Sequence, residues 1–331
     1  MPREQSQVKR KITKHGLSRG FTLVEMLVVV LIIGILAGLI SAAAVQARKR
    51  AKVAAIGMEI SQLSLALTNY KTQFGEYPPD FFNIGTDESK AIVLRHVTRA
   101  FPRFVFPPSA TTIAQKWQFL HDEINTTTNP PVDINAITLD PSTALRFWLG
   151  GMPDAQGRPI GFSKDPAHPF DTINTPTSRI GPFFDFDPGR IQTDGTYYPP
   201  GIPTGSGQPY VYFRAETGQK YDSSGNLVHG EYYVQLPVNS SNFKTIALIT
   251  TVRPYWDDRV SGWVNNTSYQ ILCCGLDGAF GQENVYPSGR IPAGAPSDVI
   301  GTDSPSFPAG NFDHLDDQTN FAHGTIGDDL P

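Results

Sequence analysis

The longest break in the polarity pattern of this 331-residue chain runs from Met26 to Val45, where no side chain is charged and Ser41 is the only polar one. At about 1.5 Å of rise per residue, a helix over this run crosses the roughly 30 Å hydrocarbon core of a bilayer. It predicts a membrane-spanning helix. Beyond Val45 the pattern changes rather than stops. Val53, Ile56, Ile60, Leu63, Leu67, Tyr70 and Phe74 recur at alternating spacings of three and four, which is one apolar face of a helix. Glu59, Gln62, Asn69, Lys71 and Gln73 stand between them and are expected to face water. The helix therefore runs from Phe21 to Phe74, leaves the membrane and lays one face on a globular core. Gly75 and Pro78-Pro79 end it.

Weaker patterns follow. Helices are expected at about 87–100, with Asp87 as cap, at 110–124, and briefly after Asp140-Pro141, where Asp is a good N-cap and Pro a good first residue. From Gly150 to Gly207, prolines, glycines and aromatics (Phe183, Phe184, Phe186, Tyr197, Tyr198) crowd together without periodicity, which reads as long loops folded onto a surface. Strands are expected at Gln208–Ala215, Gly230–Leu236, Lys244–Val252 and Ser268–Cys274, rich in Tyr, Val and Ile and separated by turn signals such as Ser224-Gly225-Asn226. Their order suggests an antiparallel sheet. The fold class is α+β.

Charge sharpens the picture at both ends. The first twenty residues carry six Lys or Arg against Glu4, whereas the whole chain is at −4. A basic leader on the cytoplasmic side obeys the positive-inside rule and places the rest of the chain outside. Arg48, Lys49, Arg50 and Lys52 flank the other end of the run and weaken that argument; they read as a solvated or lipid-headgroup stripe rather than a nucleic-acid site. The only two cysteines, Cys273 and Cys274, are adjacent. Neighbours on a strand point to opposite faces, so an ordinary disulfide between them would be strained; a disulfide framework is excluded and both read as packing residues, with a vicinal disulfide the alternative in an exported domain.

The edge of the apolar run is its most specific feature. Arg19-Gly20-Phe21-Thr22-Leu23-Val24-Glu25-Met26-Leu27 resembles the prepilin cleavage site of type IV pilins and type II secretion pseudopilins. The resemblance implies a pilin-like fold, in which a long N-terminal helix packs on an antiparallel sheet. It implies cleavage by a prepilin peptidase between Gly20 and Phe21, N-methylation of Phe21, and assembly with like and related subunits in a filament. Glu25 would then pair with the Phe21 amine of a neighbouring subunit. On its own, a carboxylate at the end of a spanning helix could equally sit solvated at headgroup level. Gly34 and Gly38 form a G-x-x-x-G step, a weak signal for close helix approach. For a secretory signal peptide cleaved at Ala42-Ala43-Ala44 the apolar core is too long and Glu25 lies inside it, and a plain anchor leaves the Gly-Phe-to-Glu spacing unexplained.

Further on, Gly207-Gln208-Pro209-Tyr210 resembles the entry to the sheet in major pseudopilins, and Tyr269 to Gly278 their final strand and Gly-x-Asp-Gly turn. The expected organisation is a leader at 1–20, a transmembrane half-helix at 21–45, an amphipathic half at 46–76, a helix and loop insertion at 77–207, a sheet at 208–276 and an acidic C-terminal segment at 277–331. That last segment holds nine acidic residues against Arg290. Asp313, Asp316, Asp317 and Asn320 offer the oxygen ligands that Ca2+ takes, and calcium in this loop is known in major pseudopilins; the plainer reading is a solvated acidic loop. No other cofactor is expected. The seven histidines show no metal-ligand spacing, and neither a G-x-S-x-G elbow nor a phosphate-binding loop is present. The chain reads as a structural subunit of the inner membrane and not as an enzyme. The alternatives are a minor pilin-like subunit that binds through its aromatic-rich insertion, and an anchored exported enzyme.

Overall fold

The computed structural model describes residues 22–82, 84–128, 131–134, 139–174, 178–205 and 207–215, and then 220–221, 227–228, 252, 254, 256–257, 262–265, 267–276, 278, 280, 285–286, 318–320 and 322. The chain divides into two units, Met1–Arg48 and Lys49–Pro331. Helix α1 (Leu23–Phe74) begins in the first and ends in the second.

In the first unit α1 is apolar on every side. Its large side chains are exposed all round, from Val29 at 43% to Leu23 at 81%, and its most apolar window has a mean hydropathy of 3.0 with none of it buried. Such a surface needs hydrocarbon or other helices for a solvent.

In the second unit the three-and-four stripe is the buried face of α1. Ile56, Ile60, Leu63, Leu67, Tyr70 and Phe74 are all inside, and Val53 is half-buried. Gly75, at φ +84°, turns the chain out of the helix, where a left-handed backbone favours glycine. The stripe shares one hydrophobic core with three shorter helices: α2 (Asp87–Ala100), α3 (Ile113–Thr127) and α4 (Ala144–Gly150). Rings fill the space between them, with Trp148 of α4 wholly buried against Tyr70, Phe81 and His96.

Helix α2 has the bounds expected but a different cap, and α3 and α4 start later than expected. Thr86, not Asp87, caps α2 by accepting the N–H of Ser89. A Thr112–Gln115 capping box starts α3 at Ile113, three residues later than expected. Asp140 does not cap α4: its Oδ1 accepts both the N–H and the hydroxyl of Ser142, and that turn delays the helix to Ala144.

Ten short strands are described: β1 (Phe162–Ser163), β2 (Arg179–Ile180), β3 (Val211–Arg214), β4 (Lys220–Tyr221), β5 (Leu227–Val228), β6 (Trp256–Asp257), β7 (Gly262–Trp263), β8 (Tyr269–Cys273), β9 (Val285–Tyr286) and β10 (Gln318–Thr319). The sheet that matters most has the order β10-β8-β3, antiparallel throughout, with Tyr212 opposite Ile271 and Thr319 opposite Leu272. The strands expected at 208–215 and 268–274 are its β3 and β8. Alternation sends Tyr212, Tyr269, Ile271 and Cys273 into the helical core, and Val211, Phe213, Leu272 and Cys274 into a second cluster with Tyr198 and Ile202. Both cysteines are buried and neither is in a disulfide; they lie on opposite faces. The other two expected strands lie outside the described residues, apart from Val252, which is buried in the second cluster. The architecture is mixed α+β, a long N-terminal helix with mainly antiparallel sheets.

The largest departure concerns residues 150–207. These loops do not coat a surface: Phe162, Phe170, Phe184, Phe186 and Tyr197 belong to the main core and Tyr198 and Ile202 to the second. A segment can be interior without regular structure if its backbone groups find partners. Here they do, through short turns such as Gln192 N–H to Thr196 O and Tyr198 N–H to Arg190 O.

Candidate functional site

The first candidate lies at the start of α1. Glu25 Oε2 accepts the N–H and the hydroxyl of Thr22, both at 2.8 Å, and Glu25 N–H donates to Thr22 Oγ1 at 3.2 Å. This is the reciprocal geometry of a capping box. It satisfies backbone donors that the helix leaves open, and it gives the carboxylate a partner within its own chain where hydrocarbon offers none. The resemblance alone implies a partner only in a neighbouring subunit. Gly20 and Phe21 lie outside the described residues. A Cβ placed on Gly34 or Gly38 would meet nothing within 4 Å, so both are open along the helix. Ser41 Oγ, the one polar side chain in the run, donates to Ala37 O at 2.8 Å.

Two polar clusters lie inside the second unit. The first is built on Glu59, expected toward water but 8% exposed. It is three residues past Ile56 and four before Leu63, and so shares their face; that spacing is the signal that could have found it. Asp187 accepts the N–H of Gly189 and Pro188 opens a single 3-10 turn, which presents Arg190. Arg190 donates to Glu59 Oε2 through Nη1 at 2.8 Å and to Oε1 through Nη2 at 2.5 Å. Tyr197 and Tyr210 hydroxyls donate to the same carboxylate at 2.8 and 2.9 Å, and Arg190 Nη2 also donates to the Tyr197 hydroxyl. Four donors thus surround Glu59. Burial would pull the Arg190 guanidinium down, but Glu59's hydrogen bonds and charge hold it above its ordinary value.

The second cluster ties the end of α1 to α2 and β3. The Tyr70 hydroxyl is 2.9 Å from His96 Nε2, and His96 Nδ1 is 2.7 Å from Glu76 Oε1. Burial pushes the His96 imidazole below its usual range, so the consistent proton arrangement has Tyr70 donating to Nε2 and Nδ1–H donating to Glu76. For Glu76 burial acts upward, but the His96 hydrogen bond and the charges of Arg214 and Arg99 outweigh it and hold the carboxyl at about 2. Nearby, burial raises Asp80 to about 6, although it accepts the N–H groups of Phe82 and Arg214 at 3.0 Å each. The Tyr70–His96–Glu76 order is that of a proton relay, yet Tyr70 and His96 are both at 0% exposure. It braces the junction.

Among the described residues no group of three or more His, Cys, Asp or Glu is placed to hold a metal. Asp313, Asp316 and Asp317 lie outside those residues. Asn320 is described: its Oδ1 accepts Ile271 N–H at 2.8 Å and its Nδ2 reaches Tyr269 O at 3.4 Å, extending the pairing of β10 with β8.

No curated protein and no solved structure matches the chain. A family model does match part of it, the prokaryotic N-terminal methylation motif over residues 17–41. That span covers the expected cleavage site, the Thr22–Glu25 box and most of the apolar run, and it makes the amino-terminal segment of this chain prepilin-like.

Proposed function

We propose that this chain is a structural filament subunit, a pseudopilin of a type II secretion-like or type IV pilus-like assembly. In this reading a prepilin peptidase cleaves the Gly20–Phe21 bond and methylates the new amine. The helix spans the inner membrane once, with residues 1–20 cytoplasmic and the globular unit outside. Subunits then leave the membrane by exchanging lipid around α1 for the α1 helices of like and related subunits.

The observation that carries the reading is a methylation motif opening directly onto a helix that is apolar and exposed on every side. Glu25 takes its role from the capping geometry: the carboxylate is held at the helix start, where the amine freed by cleavage of a neighbour can compete with Thr22 for it. The test is a pair of variants in the producing cell. Gly20→Ala is expected to block processing, and Glu25→Ala to leave processing intact while filaments fail to form. Efficient filament formation by unprocessed chains would overturn the proposal. The burial of Phe184, Phe186, Tyr197 and Tyr198 counts against the binding-subunit alternative, whose recognition face would then rest on groups such as the half-buried Phe183.

A further inference from the structure

Between Glu25 and Glu59 the chain contains no acidic residue, and within that stretch stand Arg48, Lys49, Arg50 and Lys52, the first of them three residues beyond the apolar run. All four are exposed and lie on α1. Successive helix positions are rotated by about 100°, so Arg48, Lys49 and Arg50 point to three different sides. They form a collar rather than a stripe. Lys52 is already engaged, its Nζ 3.5 Å from Gly201 O and its stem lying over Gly201. Among the described residues, Arg48, Lys49 and Arg50 show neither an ion pair nor a hydrogen bond from their side chains.

Cations one helical turn from the end of a spanning segment fall in the headgroup layer, where lipid phosphate is the abundant counter-charge. Charge on several sides of the helix matches the lipid annulus that surrounds α1 before assembly. We infer that Arg48, Lys49 and Arg50 bind anionic phospholipid headgroups of the leaflet at the Val45 end of the span and so set the depth of α1. The inference rests on reading Met26–Val45 as membrane-spanning. Removal of residues 1–20 takes away six basic side chains, after which the collar is the principal cationic anchor of the helix.

The test compares the full chain with the Arg48→Gln/Lys49→Gln/Arg50→Gln variant, each reconstituted in vesicles of phosphatidylcholine mixed with phosphatidylglycerol. Native mass spectrometry then reads the lipids each retains. The wild-type chain is expected to be enriched in phosphatidylglycerol. Each cation near the surface carries roughly a fivefold preference, so the triple variant should lose on the order of a hundredfold. An unchanged preference in the variant would assign lipid binding to residues 1–20 and overturn the inference, as would no preference in the wild type. The same spectra show whether residues 1–20 are still attached, so failure of the processing reading and failure of the collar are separate results.

Discussion

Removing the Glu59 carboxylate should destabilise the globular unit more than any change on the exposed face of α1. In Glu59→Ala, Arg190 loses both its bonds to that carboxylate, and Tyr197 and Tyr210 lose their acceptor. Breaking a buried ion pair from one side costs about 3–5 kcal/mol, because the remaining charge stays desolvated. The Arg190 side chain retains 22% exposure, a 3.3 Å bond to Asp187 and a 3.0 Å bond to Tyr198 O, so the lower end applies. About 3 kcal/mol corresponds to a fall in Tm of roughly 6–12 °C for a domain of this order of size. Thermal unfolding of the full chain in detergent, followed by near-ultraviolet circular dichroism, would measure it. The reasoning also predicts partial rescue: Glu59→Leu/Arg190→Leu removes both charges and should be clearly more stable than Glu59→Ala. A Glu59→Ala variant within about 0.5 kcal/mol of wild type, or a double variant no better than the single, would refute the argument.

Two buried carboxyls should give the unit opposite pH dependences. Asp80 at about 6 lies above its unfolded value near 3.9, so its contribution is full below about pH 4 and is lost, by up to about 3 kcal/mol, as pH rises through 6. Glu76 at about 2 lies below its unfolded value near 4.3; its contribution is present above about pH 4 and is lost as pH falls toward 2. Urea unfolding across this range should show the neutral-side loss vanish in Asp80→Asn and the acid-side loss shrink in Glu76→Gln; a flat wild-type profile would contradict both. Gly161→Ala should disrupt the β1–β2 hairpin, since Gly161 sits at φ +79° and a Cβ there would lie 2.3 Å from Ile180 O. Loss of stability well above 1 kcal/mol is expected in the same unfolding assay, beyond the ordinary cost of replacing glycine at positive φ.

The helix and the central strands were legible because their signals are local and repeated. An unbroken apolar run and a three-and-four stripe each need only α1 itself to be read, and β3 and β8 follow from short aromatic and β-branched runs, the first entered after Gly207 and the second closed by Gly275. The bounds of α2 were legible but its cap was not, and α3 and α4 start three residues later than expected, since Thr86, Thr112 and Asp140 compete with their neighbours for the same capping bonds. The polar clusters were not legible. Arg190 lies 131 positions from Glu59, in a stretch whose shape comes from turns and ring packing rather than periodicity. A carboxylate on the flank of an apolar stripe looks solvated until its distant partners are known. The aromatic loops failed for the same reason: their rings are held by contacts with α1 and α4, which no local pattern announces. The amino-terminal motif was readable residue by residue, apart from the Thr22 side of the capping box, whose bonds with Glu25 emerge only once the helix is seen to begin at Leu23.

The central claim concerns what happens to the amino terminus, and intact-mass and peptide mass spectrometry of the chain recovered from membranes tests it directly. The account predicts a chain beginning at a methylated Phe21. A terminus near Val45, or an intact Met1 on the membrane-bound population, would contradict it.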